Sequence, residues 1–220
     1  MKKLTLTMLG ATLLLSTAAQ AQEQSIKGYA SVKAVMTKTD GNYWGNKKKF
    51  DPKGANIAVG VKVDKNLRFE LEYNHRETAD KTEPYSEVYG GMIFAYGTEK
   101  MELSIKSYML NGYFDFHNSS KFTPYVGIGF GQAKVEYDYS DRWADYNNLG
   151  GLIASGVDTY HASKTKLAYN ISAGASYDIN DHLALDLGLR YIDYGSFSDA
   201  DGDKYKTKSK EVSFGVRYSF

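Results

Sequence analysis

The last ten residues alternate without a break. Val212, Phe214, Val216, Tyr218 and Phe220 are apolar, while Glu211, Ser213, Gly215, Arg217 and Ser219 between them are polar or small. A period of two puts one set on each face of an extended strand and excludes a helix, whose period of 3.6 would scatter both sets around the axis. The pattern recurs. Leu183, Leu185, Leu187, Leu189 and Tyr191 alternate with Ala184, Asp186, Gly188 and Arg190. Leu167, Tyr169, Ile171, Ala173, Ala175 and Tyr177 precede them, and the Asn180-Asp181 pair supplies a tight turn between the two runs. Upstream, Ile57 to Val63 and Leu67 to Tyr73 form a second such hairpin about Asp64-Lys65-Asn66, and a weaker strand covers Tyr29 to Thr37.

Two runs in the middle change parity. Met101 to Ile105 carries its apolar groups on odd positions, but Tyr108, Leu110, Phe114 and Phe116 are even. Val126, Ile128 and Phe130 are even, but Ala133, Val135 and Tyr137 are odd. One inserted residue flips the face of a strand, so bulges are predicted near Lys106-Ser107 and Gly131-Gln132. The total is eight strands of about ten residues. Their links alternate between short (Asp64–Asn66, His117–Phe122, Asp178–Asp181) and long (Lys38–Ala55, Glu77–Lys100, Asp138–Thr165, Gly195–Ser209). This rhythm predicts an all-β fold: an eight-stranded antiparallel up-and-down transmembrane β-barrel with short periplasmic turns and long outer loops.

The N-terminus predicts export. Lys2 and Lys3 precede an apolar stretch from Leu4 to Leu15 and a small-residue run, Ser16 to Ala21, ending in Ala19-Gln20-Ala21. That is the plan of a signal peptide cut after Ala21, so residues 1–21 are read as the leader and residues 22–220 as the barrel domain. A mean hydropathy of −0.47 does not contradict membrane insertion, because inward polar residues dilute the lipid-facing ones. A formal net charge of +1 gives no bulk field for nucleic acid, and a cysteine count of zero removes thiol chemistry. No cofactor, metal or catalytic residue is assigned.

Volume decides which face is inside. An eight-stranded interior cannot hold dozens of large apolar side chains, so these face lipid. The opposite face then carries Lys62, Arg68, Glu70, Glu72, Arg76, Asp186, Arg190 and Arg217. Gly60, Gly127, Gly129, Gly131, Gly174, Gly188 and Gly215 on the same parity leave room for them. Charges in so narrow a space must be paired, so a structural lumen network is expected.

Other groupings weigh less. His161 and Ser163 are similar to the His-x-Ser of barrel lipid A deacylases, but Lys164 stands where those enzymes carry Asn, and sequence places no acid beside His161. Asp199, Asp201 and Asp203 start a calcium-loop spacing that fails at Lys204 and Lys210. The first long loop joins Tyr43 and Trp44 to Lys47, Lys48 and Lys49, a basic aromatic surface suited to lipopolysaccharide phosphates or an anionic host glycan.

The terminal Phe220, with Phe214, Val216 and Tyr218 at every second place, is similar to the assembly signal read by the bacterial barrel-insertion machinery. The segments Met109 to Phe116, Phe122 to Gly131 and Leu185 to Gly195 resemble strands four, five and seven of the opacity-type porin and surface-antigen family. The resemblance implies an outer-membrane barrel of a Gram-negative bacterium whose surface loops act as adhesin or antigen. Narrow passive porin is the alternative, and lipid A deacylase a remote one. The expected partners are outer-membrane lipid and lipopolysaccharide, the insertion machinery and a host-surface ligand. Because a closed sheet has no edge, a monomer is expected.

Overall fold

The computed structural model describes residues 26–43, 46–91, 93–198 and 204–220. Its strands are β1 (Lys27–Tyr43), β2 (Asn46–Phe50), β3 (Lys53–Lys62), β4 (Leu67–Tyr89), β5 (Ile93–Asp115), β6 (Phe122–Asn147), β7 (Leu152–Asp178), β8 (Leu183–Ser198) and β9 (Lys204–Ser219). Neighbours pair antiparallel in the order β2-β1-β3-β4-β5-β6-β7-β8-β9, and β1 also pairs with β9 to close the sheet. β2 and β3 lie end to end along β1, pairing Thr39↔Phe50 and Met36↔Lys53, and are parted by Asp51 and Pro52. Proline has no N–H to give the ladder. Among the described residues the ring therefore has eight staves, the second in two pieces.

Asx-type contacts fix the short turns. The Asp64 carboxylate accepts from the N–H groups of Asn66 (2.6 Å) and Leu67 (2.7 Å). The Asn180 side chain does the same for His182 (3.0 Å) and Leu183 (2.9 Å). Such local bonds make Asp and Asn the turn residues of choice.

The long connections differ from expectation. Much of each is strand: β4 and β5 are 23 residues each, β6 is 26 and β7 is 27. Pairing between β5 and β6 runs in unbroken register from Asp115↔Tyr125 to Ile93↔Asn147. The bulges predicted near Lys106-Ser107 and Gly131-Gln132 are thus absent. Register shifts fall instead between Arg76 and Ala79, between Asp145 and Tyr146, and between Asp193 and Ser196.

The parity change has another cause. Below it, the outward residues are apolar and exposed, as at Ile128 (70%) and Leu189 (59%), while inward ones are polar. Above it, the outward residues turn charged (Lys106, Glu136) and the inward ones apolar: Leu103, Ile105, Ala133, Val135 and Tyr137 are buried. The strands have left the lipid. Where water lies outside, the sheet reverts to the ordinary rule of burying its apolar face.

Candidate functional site

Inside the lipid-facing belt, Glu70, Glu72, Asp115, Asp186 and Glu211 meet Lys33, Arg68, Arg76, Arg190 and Arg217, five acids and five bases among the described residues. Alternation on β1, β4, β5, β8 and β9 aims all ten inward. The upper layers are tight. Arg76 makes a bidentate pair with Glu211 (2.8–3.0 Å) and donates to Asn56 Oδ1 at 2.7 Å. Arg190 donates to both oxygens of Glu72, at 2.7 and 3.1 Å. Asn111 bridges toward Asn170 at 2.9 Å. Gly129 permits that bridge, since a Cβ there would stand 2.0 Å from Asn111 Oδ1.

The lower layers are looser. Arg68 bonds Asp115 at 3.0 and 3.1 Å and lies 3.9 Å from the ring centroid of Tyr113, but its contact with Glu70 is 3.8 Å. Asp186 is 3.4 Å from Lys33 and 3.7 Å from Arg217, and accepts from Tyr125 at 2.8 Å. Among the described residues, Arg68 Nη1 and Nη2 and Arg217 Nε and Nη1 have no hydrogen-bond partner. Separations of this size suit a bridging water. Lys62 sits at the periplasmic rim, half-buried beside an opening that Lys27 and Asp178 also line.

Sequence reasoning named Lys62, Arg68, Glu70, Glu72, Arg76, Asp186, Arg190 and Arg217 for this network; Lys62 lies at the rim instead, and Lys33, Asp115 and Glu211 were missed. Their signal was present: each is a charge on the inward parity of its strand. The space left by several glycines goes to rings: Gly127 lies against Tyr113, and Gly174 and Gly188 against Tyr125.

Level with the upper ionic layers and above them, Phe50, Leu103, Ile105, Met109, Ala133, Val135, Tyr137, Ala168, Ile192 and Tyr194 form one buried apolar cluster; Met109 pairs with Glu72 and Ile105 with Arg76. It packs the outer part of the lumen. The expectation that the large apolar groups face lipid therefore needs correction for Leu103, Ile105, Val135 and Tyr137, whose stretch of wall stands above the bilayer.

Outside, at the level where the apolar rows end, an outward lysine follows on five staves: Lys38, Lys53, Lys106 and Lys210, and, one place past Gln132, Lys134, all exposed. Higher still, β4 to β7 continue as a four-stranded sheet. From Gln132 to Asn147, β6 alone runs about 50 Å at about 3.4 Å per residue. Paired residues share a face, so register sorts its charges. On the face continuous with the lumen wall, Glu83↔Glu99, Glu99↔Asp141 and Asp141↔Asp158 place four carboxylates side by side. Glu87 and Asp145 join them, against Lys81 and, in the rows nearest the barrel, Lys164 and Lys166. The opposite face is balanced, with Asp80, Glu102, Glu136 and Asp138 beside Lys100, Lys106, Lys134 and Arg142. Trp143 Nε1 donates to Asp158 at 2.9 Å and Tyr85 donates to Asp141 at 3.0 Å. Lost hydration, then that bond to Asp141, pushes the Tyr85 phenol up to about 12.

His161 lies on the balanced face, its Nδ1 2.5 Å from Asp138 across the strand pair. The acid that sequence could not place is thus present, yet the pair is more than half exposed on an open sheet, with no enclosure to hold an acyl chain. Lys49 pairs with Asp40 and is exposed, whereas Trp44, the side chains of Tyr43, Lys47 and Lys48, and Asp199, Asp201 and Asp203 lie outside the described residues. Phe214, Val216, Tyr218 and Phe220 face outward.

Over residues 7–220 the chain matches the family model described as outer membrane protein beta-barrel domain. It is 30% identical over 188 residues to outer membrane protein PagN of Salmonella typhimurium, covering 76% of this chain and 72% of that protein. An opacity protein of Neisseria gonorrhoeae is 28% identical over 131 residues, 53% of each chain. Among solved structures, Neisserial surface protein A has the same fold, with a TM-score of 0.56 at 20% identity, covering 90% of this chain and 100% of that one.

Proposed function

The chain belongs to the outer-membrane β-barrel family and resides in the outer membrane of a Gram-negative bacterium; from that premise we propose that it is a non-enzymatic surface-interaction protein, working through what it displays above the lipid. One observation carries the reading: the upper lumen is packed with buried apolar side chains, while four strands continue past the lipid as an ordered sheet. A lumen packed at that level offers a solute little, and strands that outlast the membrane add nothing to anchoring. The paired sheet instead holds its side chains in fixed positions, which lowers the entropy lost on binding.

Within this reading residues 1–21 are removed on export, and Tyr43, Trp44, Lys47, Lys48 and Lys49 contribute a basic aromatic contact from the first long loop of the sequence. The five boundary lysines fit lipopolysaccharide phosphates, where each ammonium acts as a point charge. The test is expression in a non-adherent Gram-negative strain, scoring attachment to epithelial monolayers. Attachment is expected with the intact chain, and deletion of Trp44 through Lys49 should weaken it without changing the amount inserted. Equal attachment by cells with and without the protein would overturn the reading. Unchanged lipid A mass spectra in the same cells are expected, and a lost acyl chain would turn attention to His161 and Ser163.

A further inference from the structure

β7 is paired along its length on one side only. β6 follows it from Tyr177 up to Leu152, but β8 pairs only Asp178 to Tyr169. Among the described residues no other strand pairs with β7 between Leu152 and Ala168. A free edge presents alternate N–H and C=O groups, the chemistry that recognises another extended backbone. Proteins usually blunt such edges with proline and charge. The other free edge of this sheet is blunted: β4 carries Pro84 with Glu77, Asp80, Lys81, Glu83 and Glu87. β7 is blunted only near the barrel, by Lys164 and Lys166; from Leu152 to Ser163 it has no proline, no lysine or arginine, and Asp158 as its only carboxylate.

Asp158 supplies the second half of the argument. It ends the row Glu83, Glu99, Asp141, Asp158, so a strand added beside β7 would place its own side chain next to Asp158, at the end of four in-register carboxylates. Like charges opposite one another weaken a sheet, and a cation in the next place relieves them. The rings of Trp143 and Tyr160, one row above and one below Asp158 on that face, favour the same charge.

We propose that the free edge of β7 takes up an extended basic segment of a partner polypeptide as an added strand, with lysine or arginine on the side of Asp158. This deepens the surface-interaction reading and rests on it.

The test uses the whole mature chain in lipid nanodiscs and a fluorescent decapeptide alternating Lys and Thr. Binding is expected, weakening with salt. Methylating alternate backbone nitrogens of the peptide removes several strand hydrogen bonds and should cost about tenfold or more in affinity. Asp158→Asn should cost about fivefold, and Asp138→Asn on the balanced face should leave affinity unchanged. Equal binding of the methylated peptide, or of a Glu–Thr peptide, overturns the proposal. A concentration-dependent dimer abolished by Val157→Pro also overturns it, assigning the edge to a second copy. Attachment of whole cells separates the two levels: cells that attach while the peptide does not bind overturn strand addition alone, and cells that never attach overturn the parent reading.

Discussion

Arg76 and Glu211 stand 135 residues apart in the chain, on β4 and β9, and three hydrogen bonds of 2.8–3.0 Å join them inside the barrel. Glu211→Ala leaves a buried guanidinium with only neutral partners. It is expected to cost about 3–5 kcal/mol. Replacing both charges together, as Arg76→Met with Glu211→Leu, should recover most of that loss. Urea unfolding in lipid vesicles, followed by gel mobility with and without heating, measures both.

The apolar cluster around Leu103, Ile105 and Met109 seals the upper lumen. Planar bilayers holding the refolded chain should therefore show no discrete current steps at either low or high salt. Steps carrying ion selectivity would show that the layers part, and would bring the narrow-porin reading forward. Met109→Ala should lower stability by about 2–5 kcal/mol, as for other large-to-small changes in packed interiors.

Ile128 and Val157 are both exposed apolar residues, at 70% and 58%. Only the first faces lipid. Ile128→Arg should destabilise the barrel in bilayers by about 2–4 kcal/mol, whereas Val157→Arg should stay within about 0.5 kcal/mol. Equal effects in the same unfolding assay would mean the lipid boundary lies elsewhere.

The ring of Phe220 lies so close to Gly28 that a Cβ there would stand 2.5 Å from it. Phe220→Ala should reduce the amount of barrel assembled in cells while the purified variant still refolds into detergent. Failure in both settings would make the contact structural rather than a signal for insertion.

The membrane-embedded half of this protein was legible in its sequence because lipid outside and charge inside give every stave the same strict alternation. Ile57, Leu71, Ile128 and Phe214 needed nothing else to be placed. The upper half was misread for a physical reason: once water replaces lipid, apolar Leu103 and Val135 belong inside, and the inversion looks like a slipped register. The acidic row was hidden more deeply. Glu83, Glu99, Asp141 and Asp158 sit in four separate strands, and only the pairing register brings them to one face. Asp138 and His161 escaped notice likewise, since a partner 23 residues away is invisible to local spacing.

The two strands that close the ring, β1 and β9, carry Lys33, Glu211 and Arg217, while their partners Asp186 and Arg76 wait on β8 and β4. A barrel lacking that last seam is short of the counter-charges its interior needs. Arg68–Asp115 and Arg217–Asp186 join neighbouring strands, but Lys33–Asp186 and Arg76–Glu211 reach across the lumen and form only when first and last strands meet, so a chain left open there carries unpaired charge in the low-dielectric membrane. The lumen thereby works as a checksum on the last step of assembly.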